Sequence, residues 1–231
     1  GVFSLNYHKH IQSGEGGVIV TNNDKLAEKC RLIRNHAEAV VENAAFKDLR
    51  NMIGFNYRMT EIEAAISRVQ LRKLSDLNKK RIKNTVYFEE KTSHLPCIDS
   101  PRVRKGAEHV YYVHACKFNS KIIDIDRNTF IEAVRAELPH NELREQEGVR
   151  LGCGYVKPLY LQPMFQNKIA YGSNGYPFSG SDVNYDKGIC PVTERMHFSE
   201  LFSHEFILPS MRKSDIDDVI AAFEKVWKYY R

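Results

Sequence analysis

The chain of 231 residues has few cysteines, a single tryptophan and no long apolar run. Its five cysteines are scattered and show no C-x-x-C spacing, so the sequence indicates neither a disulfide framework nor a zinc site. We therefore expect a reducing, cytoplasmic setting. No window of about 18 apolar residues occurs, which predicts that no segment spans a membrane. We recognise no signal peptide, internal repeat or low-complexity tract.

Charge is present in nearly balanced amounts, with 34 basic and 29 acidic residues and a net charge of +5. The one dense basic run, 79–83, falls on a predicted helix, where a solvated face is the ordinary outcome. A nucleic-acid-binding module would rest on the pI of 8.8 alone, and no recognition motif supports it. The apolar content of 42% can furnish the core of one large or two small domains.

One lysine stands out by its surroundings. Lys9 lies in the run 4–17, SLNYHKHIQSGEGG, which leads into the apolar stretch 18–20. A lysine on a short turn, followed by glycines and a strand, is suited to an aldehyde cofactor, because the amine is reachable and the backbone can approach a bound group. Free lysine titrates near ~10.4, so such chemistry needs surroundings that favour the neutral amine. Without further support, the ordinary interpretation is a solvated surface charge.

Further support comes from the whole run, which resembles the active-site segment of the DegT/DnrJ/EryC1/StrS family. These are sugar aminotransferases of the type I fold that use pyridoxal 5'-phosphate. The resemblance implies that Lys9 is the catalytic residue that binds the cofactor covalently, and that Ser4 holds the cofactor phosphate. Where most of the family has phenylalanine after this serine, the chain has Leu5. Once it is released from the cofactor, the Lys9 amine can carry the proton between the substrate carbon and the cofactor carbon if it lies over both.

Two further segments resemble blocks of the same family, in the same order. The run 56–66, NYRMTEIEAAI, matches a block whose asparagine reaches the phosphate in the partner subunit, which implies that Asn56 binds cofactor in a homodimer with shared sites. Arg58 is a candidate for substrate or phosphate binding, with a structural ion pair to a nearby acid as the equal alternative. The run 158–163, PLYLQP, resembles a stretch near the substrate mouth. It makes Tyr160 a substrate-binding candidate, although a core tyrosine is the ordinary alternative.

The resemblance implies transfer of an amino group, with glutamate as donor, to a keto-sugar that is usually linked to a nucleotide. Such steps belong to polysaccharide or deoxyamino-sugar biosynthesis. A sugar dehydratase of the same family is a second interpretation, but those enzymes carry histidine where Lys9 stands here. A third is a non-catalytic dimerisation or regulatory fragment. About half of a typical family member precedes this lysine, so we expect the chain to be the C-terminal part of a longer enzyme.

The order of strand and helix patterns predicts an α/β fold. The resemblance implies that it is the C-terminal portion of a type I transferase. We expect residues 1–77 to be the end of the large cofactor-binding domain with the start of a long linking helix, and residues 78–231 to be a small α/β domain. Residues 15–21 are predicted to form a buried strand. Asp24 is predicted to cap a helix that ends near Arg34.

The linking helix has a clear start signal. Thr60 and Glu63 form a capping-box pattern, and the apolar spacing after them predicts a helix to about Lys91. The preceding residues 36–55 have no regular pattern and are expected to be largely irregular, with at most a short helix.

The second half of the chain predicts a mixed domain. Residues 110–118 are predicted as a strand, 127–138 as a helix, 149–151 as a short strand and 171–188 as a loop rich in glycine, serine and asparagine.

The C-terminal region predicts a helix over 191–202, a strand over 206–208 and a final helix started by Ser214 and Asp217. Apolar residues of that last helix recur at helical spacing and form a core stripe: Ile216, Ile220, Phe223, Trp227 and Tyr230.

Overall fold

A computed structural model describes four stretches of the chain: 1–37, 52–139, 151–204 and 207–231. The chain forms two compact units, Gly1–Asn78 and Lys79–Arg231. The assignment of a large-domain part and a small domain refers to a longer protein, and it stays a prediction. Within the four described stretches, no helix has the combination of length and apolar character that crossing a membrane would require.

The first unit begins with a pair of short antiparallel strands, β1 (Val2–Ser4) and β2 (Gly17–Ile19), with Ser4 opposite Gly17. The strand predicted over 15–21 is shorter than expected, and the prediction that it is buried is wrong: Ile19 is 58% exposed. An apolar strand is buried only where other layers cover its faces. Among the described residues, β2 pairs with β1 alone.

Helix α1 (Asp24–Arg34) has the predicted bounds but a different cap. Asp24 is the first helical residue, and Asn23 is the cap, because its side-chain oxygen accepts the N–H of Leu26 at 3.0 Å. Asparagine and aspartate are both good caps, so the sequence alone could not choose between neighbours.

Helix α2 (Glu61–Thr92) starts with the predicted capping box and ends beside the predicted residue. The backbone N–H of Thr60 donates to Glu63 Oε2 at 2.9 Å, and the N–H of Glu63 donates to Thr60 Oγ1 at 3.2 Å. The backbone N–H of Thr60, and after it the Thr60 hydroxyl, which donates to Glu63 Oε2 at 2.8 Å, lower the pKa of the Glu63 carboxyl. The capping box therefore defines the residue at which α2 begins. Most of the stretch 36–55, expected to be irregular, lies outside the described residues.

The second unit contains an antiparallel sheet of four strands in the order β3-β4-β6-β5. The strands are β3 (Ile98–Asp99), β4 (His114–Phe118), β5 (Leu151–Cys153) and β6 (Leu201–His204). Strand β4 starts later than predicted because the backbone of Tyr111 is left-handed, with φ at 50°, and interrupts the extended run. The strand predicted at 149–151 begins at its last residue; the other two residues lie outside the described part.

Helices of the second unit pack on this sheet or connect its strands. Helix α3 (Arg127–Ala136) ends slightly before the predicted position. A 3₁₀ turn (Leu159–Leu161) and α4 (Pro163–Gln166) precede the loop predicted over 171–188, which contains an isolated bridge between two tyrosines but no strand or helix.

The helix predicted over 191–202 is wrong in its second half. Helix α5 (Pro191–Arg195) is followed by one π-helical turn (Met196–Glu200), and then the chain extends as β6. The strand predicted over 206–208 is displaced toward the N-terminus. Of those residues the first lies outside the described part and the other two are not in a strand. Both runs contain apolar residues, and pairing with β4 decides which one extends.

The last helix, α6 (Lys213–Tyr230), starts one residue before the predicted Ser214. Its first turn is closed by Asp215, whose Oδ2 accepts the N–H of Arg212 at 2.8 Å, and not by Asp217. The predicted core stripe is confirmed for its first four members, and Tyr230 is only partly buried. Fully buried aromatic side chains form the centre of this unit. They come from α2, α3, α6 and the sheet: Phe88, Phe118, Phe130, Phe202 and Phe223.

A buried arginine holds the irregular turn before β6. Arg127, only 4% exposed, donates to the carbonyl oxygens of His197 and Leu201 at 2.8 Å each, and to that of Phe198 at 3.2 Å. A π-helical turn leaves carbonyl groups without helical partners, and the guanidinium satisfies several of them at once. No local pattern predicts this contact, because its two ends are about seventy residues apart.

Replacing Arg127 by methionine should lower the free energy of unfolding of the second unit by about 1.5–3 kcal/mol, because buried carbonyls lose a charged donor. The single tryptophan, Trp227, is buried in this unit, so its fluorescence during urea unfolding measures the effect. Arg135 lies on the same helix but is exposed, and Arg135→Met should change stability by less than about 0.5 kcal/mol. Equal effects of the two variants would contradict the role assigned to the buried guanidinium.

Candidate functional site

The loop that carries Lys9 connects β1 to β2 and is closed at its base. The N–H of buried Leu5 donates to the carbonyl of Gly16 at 2.9 Å, and the N–H of buried Ser13 donates to the carbonyl of Leu5 at 3.0 Å. At its tip, the N–H of Lys9 donates to the carbonyl of Asn6 at 2.9 Å, which forms a turn. The half-buried lysine side chain therefore starts from a backbone position that local hydrogen bonds define.

Asn6 organises the first part of this loop. Its side-chain oxygen accepts the N–H of His8 at 3.1 Å, and its amide nitrogen donates to Glu15 Oε1 at 2.7 Å. Its own N–H donates to Ser4 Oγ at 3.2 Å, which fixes the hydroxyl at the end of β1. Sequence reasoning left Glu15 without a role and did not single out Asn6. An asparagine that accepts from the residue two positions later is a typical turn signal, and it could have been recognised.

The two histidines beside Lys9 have different surroundings. His10 Nδ1 lies 2.9 Å from Asn78 Oδ1, so this ring connects the loop to α2. The exposed His8 ring packs against Tyr7, with ring centroids 3.8 Å apart. His10 is therefore part of the support of the loop.

Gly16 brings the lysine loop against the second sequence block. Its φ is +143°, and a Cβ built there would lie 2.9 Å from Met59 Cε. The positive φ favours glycine, and a methyl group here would displace the flexible end of the Met59 side chain. The first two blocks, far apart in sequence, are thus in direct contact within the first unit.

Gly16→Ala should destabilise the first unit by about 1–3 kcal/mol, because the new methyl group adds strain and displaces Met59. Gly14 is the matched control, since its φ is also positive, at +89°, but a Cβ there meets nothing within 4 Å. Urea unfolding followed by far-ultraviolet circular dichroism measures both variants. A loss for Gly14→Ala as large as that for Gly16→Ala would show that the contact with Met59 is unimportant.

The second block is anchored to the end of α1. The N–H of Phe55 donates to the carbonyl of Ile33 at 2.8 Å, and the N–H of Tyr57 donates to that of Arg34 at 3.0 Å. Asn56 lies between these bonds, paired through its backbone with Asn35, and its side chain is exposed. A fixed backbone with an exposed amide is suited to contact a group outside the unit.

Arg58 has a specific partner, but not the one expected. Among the described residues, its guanidinium donates to Asn35 Oδ1 at 2.6 Å, and the alternative of a structural ion pair with an acid stays a prediction. The side chain is exposed and keeps other donors of its fork available. Binding of a phosphate by Arg58 stays a prediction.

Tyr160 lies in the second unit, in the 3₁₀ turn, and its hydroxyl donates to Glu194 Oε1. The same carboxylate oxygen accepts the N–H of Gly188 at 2.6 Å. Desolvation and the bond to Glu194 raise the pKa of Tyr160 to about 12, while the bond from Tyr160 is the main cause that lowers the pKa of Glu194. This pairing connects the 3₁₀ turn to α5 and favours a structural role. Substrate binding by Tyr160 stays a prediction.

The structure therefore brings four of the five predicted site residues into one unit. Ser4 and Lys9 lie on one hydrogen-bonded loop, and Asn56 and Arg58 lie on the block that contacts this loop through Met59. An amine, a hydroxyl and an amide on fixed backbone can bind an anionic aldehyde.

Comparison with known proteins decides the family. The sequence profile of the DegT/DnrJ/EryC1/StrS aminotransferase family matches residues 1–224. The chain belongs to this family. The family resemblance predicted from the three sequence blocks is thereby confirmed.

Two curated relatives of this chain have informative names. The spore coat polysaccharide biosynthesis protein SpsC of Bacillus subtilis is 22% identical over 98% of the chain and 53% of its own length. A GDP-perosamine synthase of Caulobacter vibrioides is 34% identical over 50% of the chain and 30% of its own length. The chain spans about half the length of the curated relatives that match almost all of it.

Solved structures confirm the predicted fold class. An aminotransferase from Psychrobacter cryohalolentis superposes with a TM-score of 0.74 and 21% identity, over 100% of this chain and 56% of that one. The chain thus has an α/β architecture that matches about half of a type I transferase chain.

Proposed function

We propose that the complete protein containing this chain is a pyridoxal 5'-phosphate-dependent aminotransferase that transfers an amino group from glutamate to a keto-sugar carried on a nucleotide. The observation that carries this proposal is Lys9, half-buried on a closed turn between β1 and β2 in a chain of this family. The names of the two curated relatives support sugar as the acceptor, and polysaccharide or deoxyamino-sugar biosynthesis as the setting.

The described residues fit the cofactor. It needs an amine for covalent attachment, donors for its phosphate, and backbone without side chains nearby. Lys9 supplies the amine, and the exposed Ser4 hydroxyl and Asn56 amide supply donors. Gly14 leaves open space beside the loop, since a Cβ there would meet nothing within 4 Å. When bound, the cofactor supplies the electron sink that lets a proton leave the substrate carbon.

The work of the protein is then placement and proton transfer. The amine of Lys9, on its hydrogen-bonded turn, takes the proton from one carbon and returns it to the other. The hydroxyl of Ser4 and the amide of Asn56 hold the phosphate, which fixes the cofactor relative to that amine. Glu15 keeps Asn6 in place and so positions both ends of the segment from Ser4 to Lys9.

We further propose a homodimer in which Asn56 serves the partner's site. Its exposed side chain supports this, as does the exposed apolar surface at the start of α2, where Ile62 is 75% and Val69 is 50% exposed. Such a surface needs a cover in a stable protein. A cytoplasmic location is supported by the cysteines, all five of which are described and free.

The test uses the complete polypeptide in which this chain occurs. Added pyridoxal 5'-phosphate should produce a new visible absorption band, and borohydride should fix the cofactor irreversibly on the peptide that contains Lys9. In a separate sample without borohydride, glutamate should remove the band and release one equivalent of 2-oxoglutarate.

Each part of this test has a consequence. Absence of the band would overturn the proposal and favour a non-catalytic fragment. A band that glutamate does not change would favour the sugar dehydratase. The sequence argues against that class, which carries histidine at the position of Lys9.

A further inference from the structure

A cluster of three metal-binding residue types lies inside the second unit, separate from the loop that carries Lys9. The side chains of His114, Cys116 and His204 are almost completely buried, and their ligand atoms all lie within 4.8 Å of one another. The aminotransferase chemistry proposed above uses none of them. We propose that these three side chains bind one divalent ion of the zinc class, with Glu89 as the carboxylate that supports the site.

Strand pairing creates the cluster. His114 and His204 stand directly opposite each other on the antiparallel strands β4 and β6, and Cys116 is two residues beyond His114. Alternation along β4 places His114 and Cys116 on the same, buried face. Three donor side chains therefore converge from a rigid sheet, which is a more exact support for a metal than a loop.

The distances can be compared with those around a bound ion. Tetrahedral zinc, with bonds of about 2.0–2.1 Å to nitrogen and about 2.3 Å to sulfur, separates a nitrogen and a sulfur ligand by roughly 3.5 Å. Cys116 Sγ lies 3.7 Å from His114 Nδ1 and 3.6 Å from His114 Nε2, so binding through Nδ1 also requires the thiol to move toward that atom. His114 Nδ1 and His204 Nε2 are 2.5 Å apart, so binding must open this pair by roughly 0.8 Å, within the reach of a small ring rotation.

Glu89 selects the form of His114 that a metal requires. Its Oε1 lies 2.8 Å from His114 Nε2, and an ionised carboxylate only accepts, so Nε2 carries the hydrogen. The lone pair of His114 is then on Nδ1, the atom that faces His204. A carboxylate that holds the far N–H of a ligating histidine is the usual support of metal sites.

The donor set and the charge are also compatible. A coordinated metal removes the proton of a thiol such as that of Cys116. One thiolate and the carboxylate of Glu89 would together balance the two charges of the ion. Thiolate with imidazole is a donor set that suits zinc and disfavours magnesium or calcium.

Without an ion, the same groups form a hydrogen-bonded chain from Glu89 through His114 to His204, and the test must separate the two states. Co²⁺ is the probe, because a cobalt–thiolate bond gives an intense near-ultraviolet band while imidazole ligands alone do not. The 231-residue chain should take up one Co²⁺ with this band, and Zn²⁺ should displace it and raise the melting temperature.

Matched variants make the result specific. Cys116→Ser should lose the cobalt–thiolate band, whereas Cys97→Ser should keep it, since Cys97 is equally buried in the same core but outside the cluster. His204→Phe keeps the core apolar, so a folded protein that no longer binds Co²⁺ is expected. Folding of each variant is checked by circular dichroism.

The proposal is overturned if the folded wild-type chain shows no thiolate band, or if Cys116→Ser keeps it. Loss of the band in Cys97→Ser as strongly as in Cys116→Ser would overturn it as well. Since this test does not involve pyridoxal 5'-phosphate, its result is independent of the proposed aminotransferase activity.

Discussion

Alanine in place of Lys9 is expected to slow amino transfer from glutamate by at least about 10³-fold in the complete protein. The methyl group can neither attach the cofactor nor carry the proton between the two carbons. The measurement is the single-turnover release of 2-oxoglutarate after mixing with glutamate, which does not require the sugar acceptor to be known. The visible absorption band should also be absent after dialysis against cofactor-free buffer.

Lys25 provides the control for this experiment. It is an exposed lysine of α1, outside the loop that carries Lys9, and Lys25→Ala should leave the rate and the band unchanged. Full single-turnover rate in Lys9→Ala, with the fold intact by circular dichroism, would remove the basis of the proposed function.

The second large effect concerns the core of the second unit. Phe223→Ala should reduce the free energy of unfolding by about 3–5 kcal/mol, because a large buried side chain is replaced by a cavity. Phe223 is fully buried, and its ring centroid lies 5.6 Å from that of Phe88 and 6.2 Å from those of Phe130 and Phe202. Removal therefore affects contacts with α2, α3 and the sheet together.

Urea unfolding followed by the fluorescence of Trp227 reports this change directly, since the tryptophan is buried on the same helix. Tyr229 is the matched control: it lies on the same helix but is 81% exposed, and Tyr229→Ala should cost less than about 0.5 kcal/mol. A loss below about 1 kcal/mol for Phe223→Ala would mean that the aromatic centre can collapse around the cavity.

Local patterns in the sequence predicted much of the fold. Thr60 and Glu63 predicted the start of α2, and the spacing of apolar residues predicted α6 with its buried face. These features depend on residues within a few positions of each other, so the sequence contains the whole signal. The resemblance of three blocks predicted the family, and the profile match over residues 1–224 confirms it.

Features that depend on distant partners were predicted less well. The strand expected at 206–208 lies at Leu201–His204, because pairing with β4 decides which apolar segment extends. The expected burial of β2 is wrong, since exposure depends on what packs above and below a strand. In the candidate site, the hydrogen bond between Asn6 and Glu15, nine residues apart, had no local signal.

The sequence by itself determined the family, the catalytic candidate Lys9, the long helix and the apolar faces. Each of these depends on neighbouring residues or on the three blocks that resemble the family. Tertiary structure alone decided that Arg127 holds a turn some seventy residues away and that His114 meets His204 across ninety residues. The physical reason is that sheet register and helix packing, which no local pattern records, determine which distant side chains meet.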